Sequence, residues 1–379
     1  MFFDKILDFF KIENLYKKES AQHQTEKLFS SSIASSDILY EIISYWEQHD
    51  LLTGEFVYHR NATFNEKKDF ALISILSSFS KKARDPNYYS PLILNELGIT
   101  NWNAYMQRLT SKGYIQKADI IEILDAQYKL PDLKIIADSL GIKKTGKKKE
   151  LTQRIASSLS EDQIYNIRID CDLYTLSDKG KQKLLGCEDY VSFYGYRHSV
   201  SLAEFNDMRK LEGGRYIRDF YDTMFQIFSN RVFYYECNHN YARSGIESFN
   251  IYRIMIEEFK NTDHNVPLDV ALVNYVQHLY DSLCYSMQVY YSVKNGICPN
   301  STLNYLIPPP DKDLGIVADH ECFINYDAIF VNRPPCFLKH DEFQSYVHEL
   351  LTSPMFDQQK WSSIINQRVN SLFDIIRQS

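Results

Sequence analysis

Five lysines stand within seven residues, Lys143, Lys144, Lys147, Lys148 and Lys149, wrapped around Thr145 and Gly146. Ammonium groups at that density attract a chain of phosphates. A helix start in the same place adds free backbone N–H groups, which also face anions. From Lys129 to Leu159, eight basic residues (Lys129, Lys134, the five lysines and Arg154) stand against three acids (Asp132, Asp138, Glu150), a local charge of +5. The whole chain is −7, so the remainder carries −12. Such a balance gives no global attraction to nucleic acid or acidic membranes, and any affinity for a polyanion has to come from this patch. Gly141-Ile142-Lys143-Lys144-Thr145-Gly146-Lys147 also fits most of the phosphate loop G-x-x-x-x-G-K. Lys148, however, takes the place where Ser or Thr would hold Mg²⁺, and an amphipathic helix is expected ahead of the loop where that motif needs a buried strand.

Other groups capable of chemistry are scattered. Cys237-Asn238-His239 lacks a second Cys or His at finger-like spacing, and His348-Glu349 lacks the second histidine of HExxH because position 352 is Thr352. His320, Glu321 and Cys322 adjoin in an expected loop, where sequence neighbours need not converge. Tyr234 and Tyr235 beside Phe233 offer hydroxyls without a mapped Arg/His cluster. Glu204, Asp207, Asp219 and Asp222 are the carboxylates a nuclease would recruit, with a solvated helix face as the blander account. No nucleophile elbow, kinase signature or dinucleotide fingerprint is present. No metal or cofactor is expected.

The elements that would hold the lysines can be read from spacing. Pro131 suits a first helical position, Asp132 the first turn, and Leu133, Ile136, Ala137 and Leu140 form one apolar stripe that Gly141 ends. Thr145-Gly146 opens a second helix whose buried face is Leu151 and Ile155. Two short helices meeting through so few apolar residues make a very small core, which has to lean on the rest of the chain.

This segment resembles the SAP domain family, a short helix–turn–helix that binds DNA, often AT-rich. Leu133-Lys134, Gly141-Ile142, Gly146, Lys148, Leu151 and Arg154 carry the resemblance. It implies glycines that shape the turn, leucines in the core, and a basic second-helix start facing DNA, with Gly146, Lys147, Lys148 and Arg154 as contacts. Leu140 departs from the family, which often has a polar or basic residue there. Some bacterial and phage-encoded proteins of unknown role place such a unit beside a segment like Tyr174–Gly180; that wider likeness names no function.

Around the insert, Gly98-Ile99-Thr100-Asn101 reads as a turn capping a helix that carries Trp102, Tyr105, Met106 and Leu109, ends at Lys112-Gly113, and is followed by extended Tyr114-Ile115. Leu173–Gly180 reads as a returning strand and a capped short helix. Helix, turn, helix and strand begin a winged-helix module, here interrupted by the insert. That reading offers Asn101, Trp102, Asn103, Arg108 and Lys112 to DNA, with Trp102 equally suited to the core.

Elsewhere, Phe2, Phe3, Ile6, Leu7, Phe9 and Phe10 share one helical side, for a membrane surface, a partner or the chain's own core. Ser30–Ser36 reads as a loop, and Ser36-Asp37 as the cap of a helix through Trp46. Another helix is expected at Lys67–Lys82. Tyr216, Phe220, Met224 and Ile227, then Val270, Val273, Leu279 and Leu283, sit at helical spacing, Pro308-Pro309-Pro310 marks a boundary, and helices are expected at Asp341–Leu351 and Asp357–Arg377. The 28 Tyr and 23 Phe are read as core rather than base-stacking platforms. Seven Cys without a CxxC pair fit a reducing compartment, and nothing approaches a signal peptide or a membrane span.

The sequence thus predicts a mainly α chain: a helical region 1–85, a winged-helix-like module 86–187 with the SAP-like insert at 129–159, and a mostly helical region 188–379. It predicts a cytoplasmic, non-enzymatic protein that grips duplex DNA through about four to six phosphates, with a log–log salt slope of about −4 to −5. The C-terminal region would bind a protein partner or a second copy. The alternatives are a nucleic-acid-processing enzyme that uses the insert as a targeting arm, and a structural protein of a phage or mobile element.

Overall fold

The computed structural model describes residues 37–49, 55–170, 172–210, 218–284, 294, 310–331, 333–353 and 355–378. Among them helices dominate, and the strands form one two-stranded antiparallel sheet, so the chain is mainly α. Two units divide it: Tyr58–Thr223, and Met1–Val57 together with Met224–Ser379. The expected apolar side Phe2–Phe10, the Ser30–Ser36 loop, Tyr216 and Pro308-Pro309 lie outside the described residues.

Helix α1 (Asp37–Gln48) buries Ile38, Leu39, Ile42 and Trp46 and packs on the C-terminal helix of its own unit. The unit Tyr58–Thr223 begins with α2 (Phe64–Lys81), launched by a capping box. Thr63 Oγ1 accepts the Glu66 N–H (3.3 Å) and Glu66 Oε2 accepts the Thr63 N–H (2.7 Å). Arg84 then makes a single antiparallel bridge to Tyr174, with both N–H···O bonds at 2.9 Å. Helices α3 (Pro91–Glu96) and α4 (Trp102–Ser111) follow, each ended by a left-handed glycine, Gly98 (φ 69°) and Gly113 (φ 70°). At the second, the Gly113 N–H donates to Thr110 O (2.8 Å) and the Tyr114 N–H to Leu109 O (3.0 Å), so the free carbonyls of α4 are satisfied locally.

Strand β1 (Ile115–Lys117) leads away from the sheet into four helices: α5 (Ile120–Gln127), α6 (Leu130–Ser139), α7 (Lys148–Ser158) and α8 (Glu161–Asp170). The chain returns as β2 (Tyr174–Leu176), which pairs with β1 so that Ile115 faces Leu176. Arg84, β2 and β1 thus lie side by side in that order. The unit closes with α9 (Asp178–Leu184), α10 (Glu188–Phe193) and α11 (Leu202–Arg209). Because α2 packs on α9, α10 and α11, this unit takes in the end of region 1–85, all of 86–187 and the start of 188–379. Arg60 fastens that arrangement. Its guanidinium binds Glu66 (2.9 Å) and Asp207 (2.5 Å), and Tyr58 donates to the same Asp207 carboxylate (2.7 Å). The Arg60 guanidinium holds the Glu66 carboxyl down at about 2.

The other unit resumes at Met224 within α12 (Phe220–Cys237) and continues through α13 (Tyr241–Asn261), α14 (Leu268–Leu283), α15 (Tyr326–Phe330), α16 (His340–Thr352) and α17 (Gln358–Gln378). Helices α13 and α14 lie tightly together; a Cβ on Gly245 would sit 2.6 Å from Asp281 Cβ. Tyr252, Tyr275, Tyr280, Phe337, Phe343 and Tyr346 are fully buried, so these rings are core, as burial energies of aromatic side chains favour. Buried Asp281 is held by Arg333 (2.8 Å), which also binds Glu236 (2.5 Å). Among the described residues no helix is long and apolar enough to cross a membrane.

Candidate nucleic-acid interface

The lysine-rich loop is held by a core larger than the two helices that flank it. Leu133 and Ala137 of α6 and Leu151 and Ile155 of α7 are completely buried, with Ile120 and Leu124 of α5 closing one side and Ile164 and Ile167 of α8 packing against them. The anticipated dependence on neighbouring chain is met by these two flanking helices. Both helices lie outside the 129–159 segment that the sequence marks out.

Helix α6 ends where Gly141 takes φ 66°. The Gly141 N–H donates to Asp138 O (3.0 Å) and the Ile142 N–H to Ala137 O (2.9 Å), which turns the chain sharply toward α7. A second left-handed glycine, Gly146 (φ 122°), immediately precedes Lys147, the N-cap. The Lys147 N–H donates to Glu150 Oε2 (3.3 Å), and the first intrahelical bond is from the Leu151 N–H to Lys147 O (3.1 Å). The N–H groups of Lys148, Lys149 and Glu150 therefore open the helix ahead of its own ladder, where anions are favoured.

The basic side chains divide into two sets. Lys143, Lys147 and Lys149 are exposed, and among the described residues none has a carboxylate partner; Thr145 and Gly146 between them are exposed too. Lys144 pairs with Asp138 (2.7 Å), and Lys148 is half-buried against Asp125, reaching its carboxylate (3.0 Å) and its carbonyl (2.5 Å). Arg154, which the resemblance makes a DNA contact, folds back along the loop, and its Nη2 donates to the Thr145 carbonyl. Lys129, the N-cap of α6, and Lys134 within it are exposed. Because α6 precedes the loop, the nucleotide-loop arrangement is not formed here.

On α4, Asn101 Oδ1 accepts the Ala104 N–H (2.9 Å), so this side chain is committed to the cap. Trp102 is half-buried, with its indole N–H bonded to Pro86 O and its ring stacked on Tyr105 at 6.0 Å; it serves the core. Asn103, Arg108 and Lys112 are exposed, and Arg108 lies over the Tyr105 ring at 5.0 Å. Gln107 and Ser111 extend the exposed line from Asn103 at intervals of four. Neither carries a charge to draw notice in the sequence, although that spacing puts them on the Asn103 face.

The remaining candidates meet at most in pairs among the described residues. His239 Nδ1 lies 3.0 Å from Tyr241 Oη, and Cys237 is exposed. His348 Nδ1 does meet Glu321 Oε1 (2.9 Å), while Glu349 is taken by Lys360 (2.7 Å) and the Trp361 indole (3.1 Å). Among the described residues no three His, Cys, Asp or Glu side chains gather to hold a metal. Of the four carboxylates, Glu204 is buried, Asp207 belongs to Arg60 and Tyr58, and Asp219 accepts the Asp222 N–H (2.8 Å) at the start of α12. Comparison of the chain with protein-family models, with curated proteins and with solved structures finds no match.

Proposed function

We propose that the chain is a non-enzymatic DNA-binding protein that grips duplex phosphates with the loop between α6 and α7. The observation that carries this reading is the trio Lys143, Lys147 and Lys149, exposed and without carboxylate partners among the described residues, at the mouth of α7. Three ammonium groups beside free helix N–H groups suit a polyanion that an acidic molecule would otherwise repel. On this reading α6, α7 and their turn are the SAP-like unit, and AT-rich duplex is the substrate that the resemblance implies.

The same reading extends to the surrounding helices. Helix α2, the Arg84 bridge, α3, α4, β1 and β2 follow the order of a winged helix, with the four inserted helices in the place of the wing. The exposed line Asn103, Gln107 and Ser111, with Arg108 and Lys112 beside it, is then the face offered to the major groove. The unit of α12–α17 is assigned a protein partner or a second copy. Anisotropy titration with a labelled duplex tests the central claim. Replacing Lys143, Lys147 and Lys149 together by Glu should lower affinity by at least about tenfold. Unchanged affinity in that variant overturns the reading.

A further inference from the structure

Arg154 belongs to the basic set, yet its geometry gives it a different task. The guanidinium lies across the base of the lysine loop, with Nη2 on the Thr145 carbonyl, nine residues back in the chain. Its Nε is buried and has no partner among the described residues, so that edge of the half-buried guanidinium faces the protein. Gly146, the next residue, holds φ 122°, which L side chains rarely adopt. A Cβ there would lie 2.5 Å from Glu150 Oε2 and 3.4 Å from Arg154 Nη2. Glu150 in turn accepts the Lys147 N–H. Two charged side chains from α7 therefore close over one left-handed bend, and the exposed lysines flank that bend on both sides.

We infer that Arg154, with Glu150, is a positioning residue: it sets the Thr145–Gly146 bend so that Lys143 and Lys147 present their ammonium groups together, and it makes no phosphate contact itself. This rests on the DNA reading and deepens it. The chemistry distinguishes the two roles. A phosphate ligand contributes a released counterion, so its loss flattens the salt dependence by about 0.9 in log–log slope. A brace contributes order alone, so its loss lowers affinity and leaves the slope in place.

The test uses the full chain with Arg154→Gln, and separately Gly146→Ala, which attacks the same bend without removing any charge. Duplex binding is titrated against salt, and amide exchange is followed across residues 143–147. Both variants should weaken binding by about fivefold with the wild-type slope retained, because ordering one or two long side chains is worth roughly that much. Exchange in the loop should accelerate in each. A slope that flattens by about 0.9 in Arg154→Gln, with loop exchange unchanged, identifies Arg154 as a phosphate ligand and overturns the inference. So does wild-type affinity in Gly146→Ala, which remains decisive if Arg154→Gln does not fold. A wild-type chain that ignores duplex at low salt defeats the DNA reading itself, a result that neither variant can mimic.

Discussion

Salt dependence separates the lysines that are free from those that are held. Each phosphate neutralised by a free ammonium adds about −0.9 to the slope of log affinity against log salt. Lys143, Lys147 and Lys149 have no carboxylate partner among the described residues, whereas Lys144 and Lys148 are paired with Asp138 and Asp125. Replacing the first three by Gln should therefore flatten the wild-type slope by about 2.7, and the affinity gap between the two proteins should shrink about 40-fold from 50 to 200 mM salt. Taking the difference cancels any contribution from Arg108 and Lys112, which both proteins keep. Replacing Asp125 and Asp138 by Asn releases two more ammonium groups and should steepen the slope by up to about 1.8. Exposed ion pairs are individually weak, so these aspartates alter the ion count more than the fold. A triple-Gln variant with the wild-type slope refutes the assignment of the three lysines. A steepening absent from the Asn variant shows that the aspartates do not restrain Lys144 and Lys148, and the estimate of four to six phosphates then stands.

Three further outcomes concern the scaffold. Gly180→Ala would place a Cβ 2.1 Å from the Tyr114 carbonyl, which is backbone and cannot swing aside, so thermal melting should show a loss of about 2–3 kcal/mol or more. Because Arg60 lowers the folded-state value of Glu66, that contribution is whole above the ordinary carboxylate range and fades as pH falls toward about 2; urea midpoints measured down the acid limb should lose part of their pH dependence in Glu66→Gln. Arg333→Ala strands Asp281, whose side chain is 0% exposed, and should cost about 3–5 kcal/mol in urea unfolding. A melt unchanged by that substitution would mean the buried carboxylate finds another partner.

What could be read from the residues followed the reach of each signal. The glycines at 113 and 141 announce helix ends because their left-handed turns need no distant partner. The stripe Leu133, Ala137, Leu151 and Ile155 likewise declares its burial by spacing alone. The Arg84 bridge was not read, since one paired residue leaves no alternation to detect. Thr63 and Glu66 do stand at capping-box spacing, and missing them placed the start of α2 three residues late. At the site, the positions of the lysines were legible but their occupations were not. Asp125 lies twenty-three residues from Lys148 and meets it only because α5 packs on α7. Arg154 reads as a DNA contact because a sequence shows its charge and hides its rotamer.

The Ala118 N–H bonds to the Leu173 carbonyl at 2.9 Å, so the chain leaves β1 and re-enters β2 at adjoining points. Everything from Asp119 to Asp172 hangs from that doorway, tied to the host by the Thr175 hydroxyl on Glu122 (2.9 Å) and by a small shared core of Ile123, Ala83 and Ala118. A segment attached in this way can be lengthened, shortened or exchanged for a tight hairpin without threading anything new through the host. The inserted segment is accordingly joined to its host at one narrow seam, Ile123 and Ile167 against Ala83, Ala118 and Leu173, and its loss would uncover only that seam.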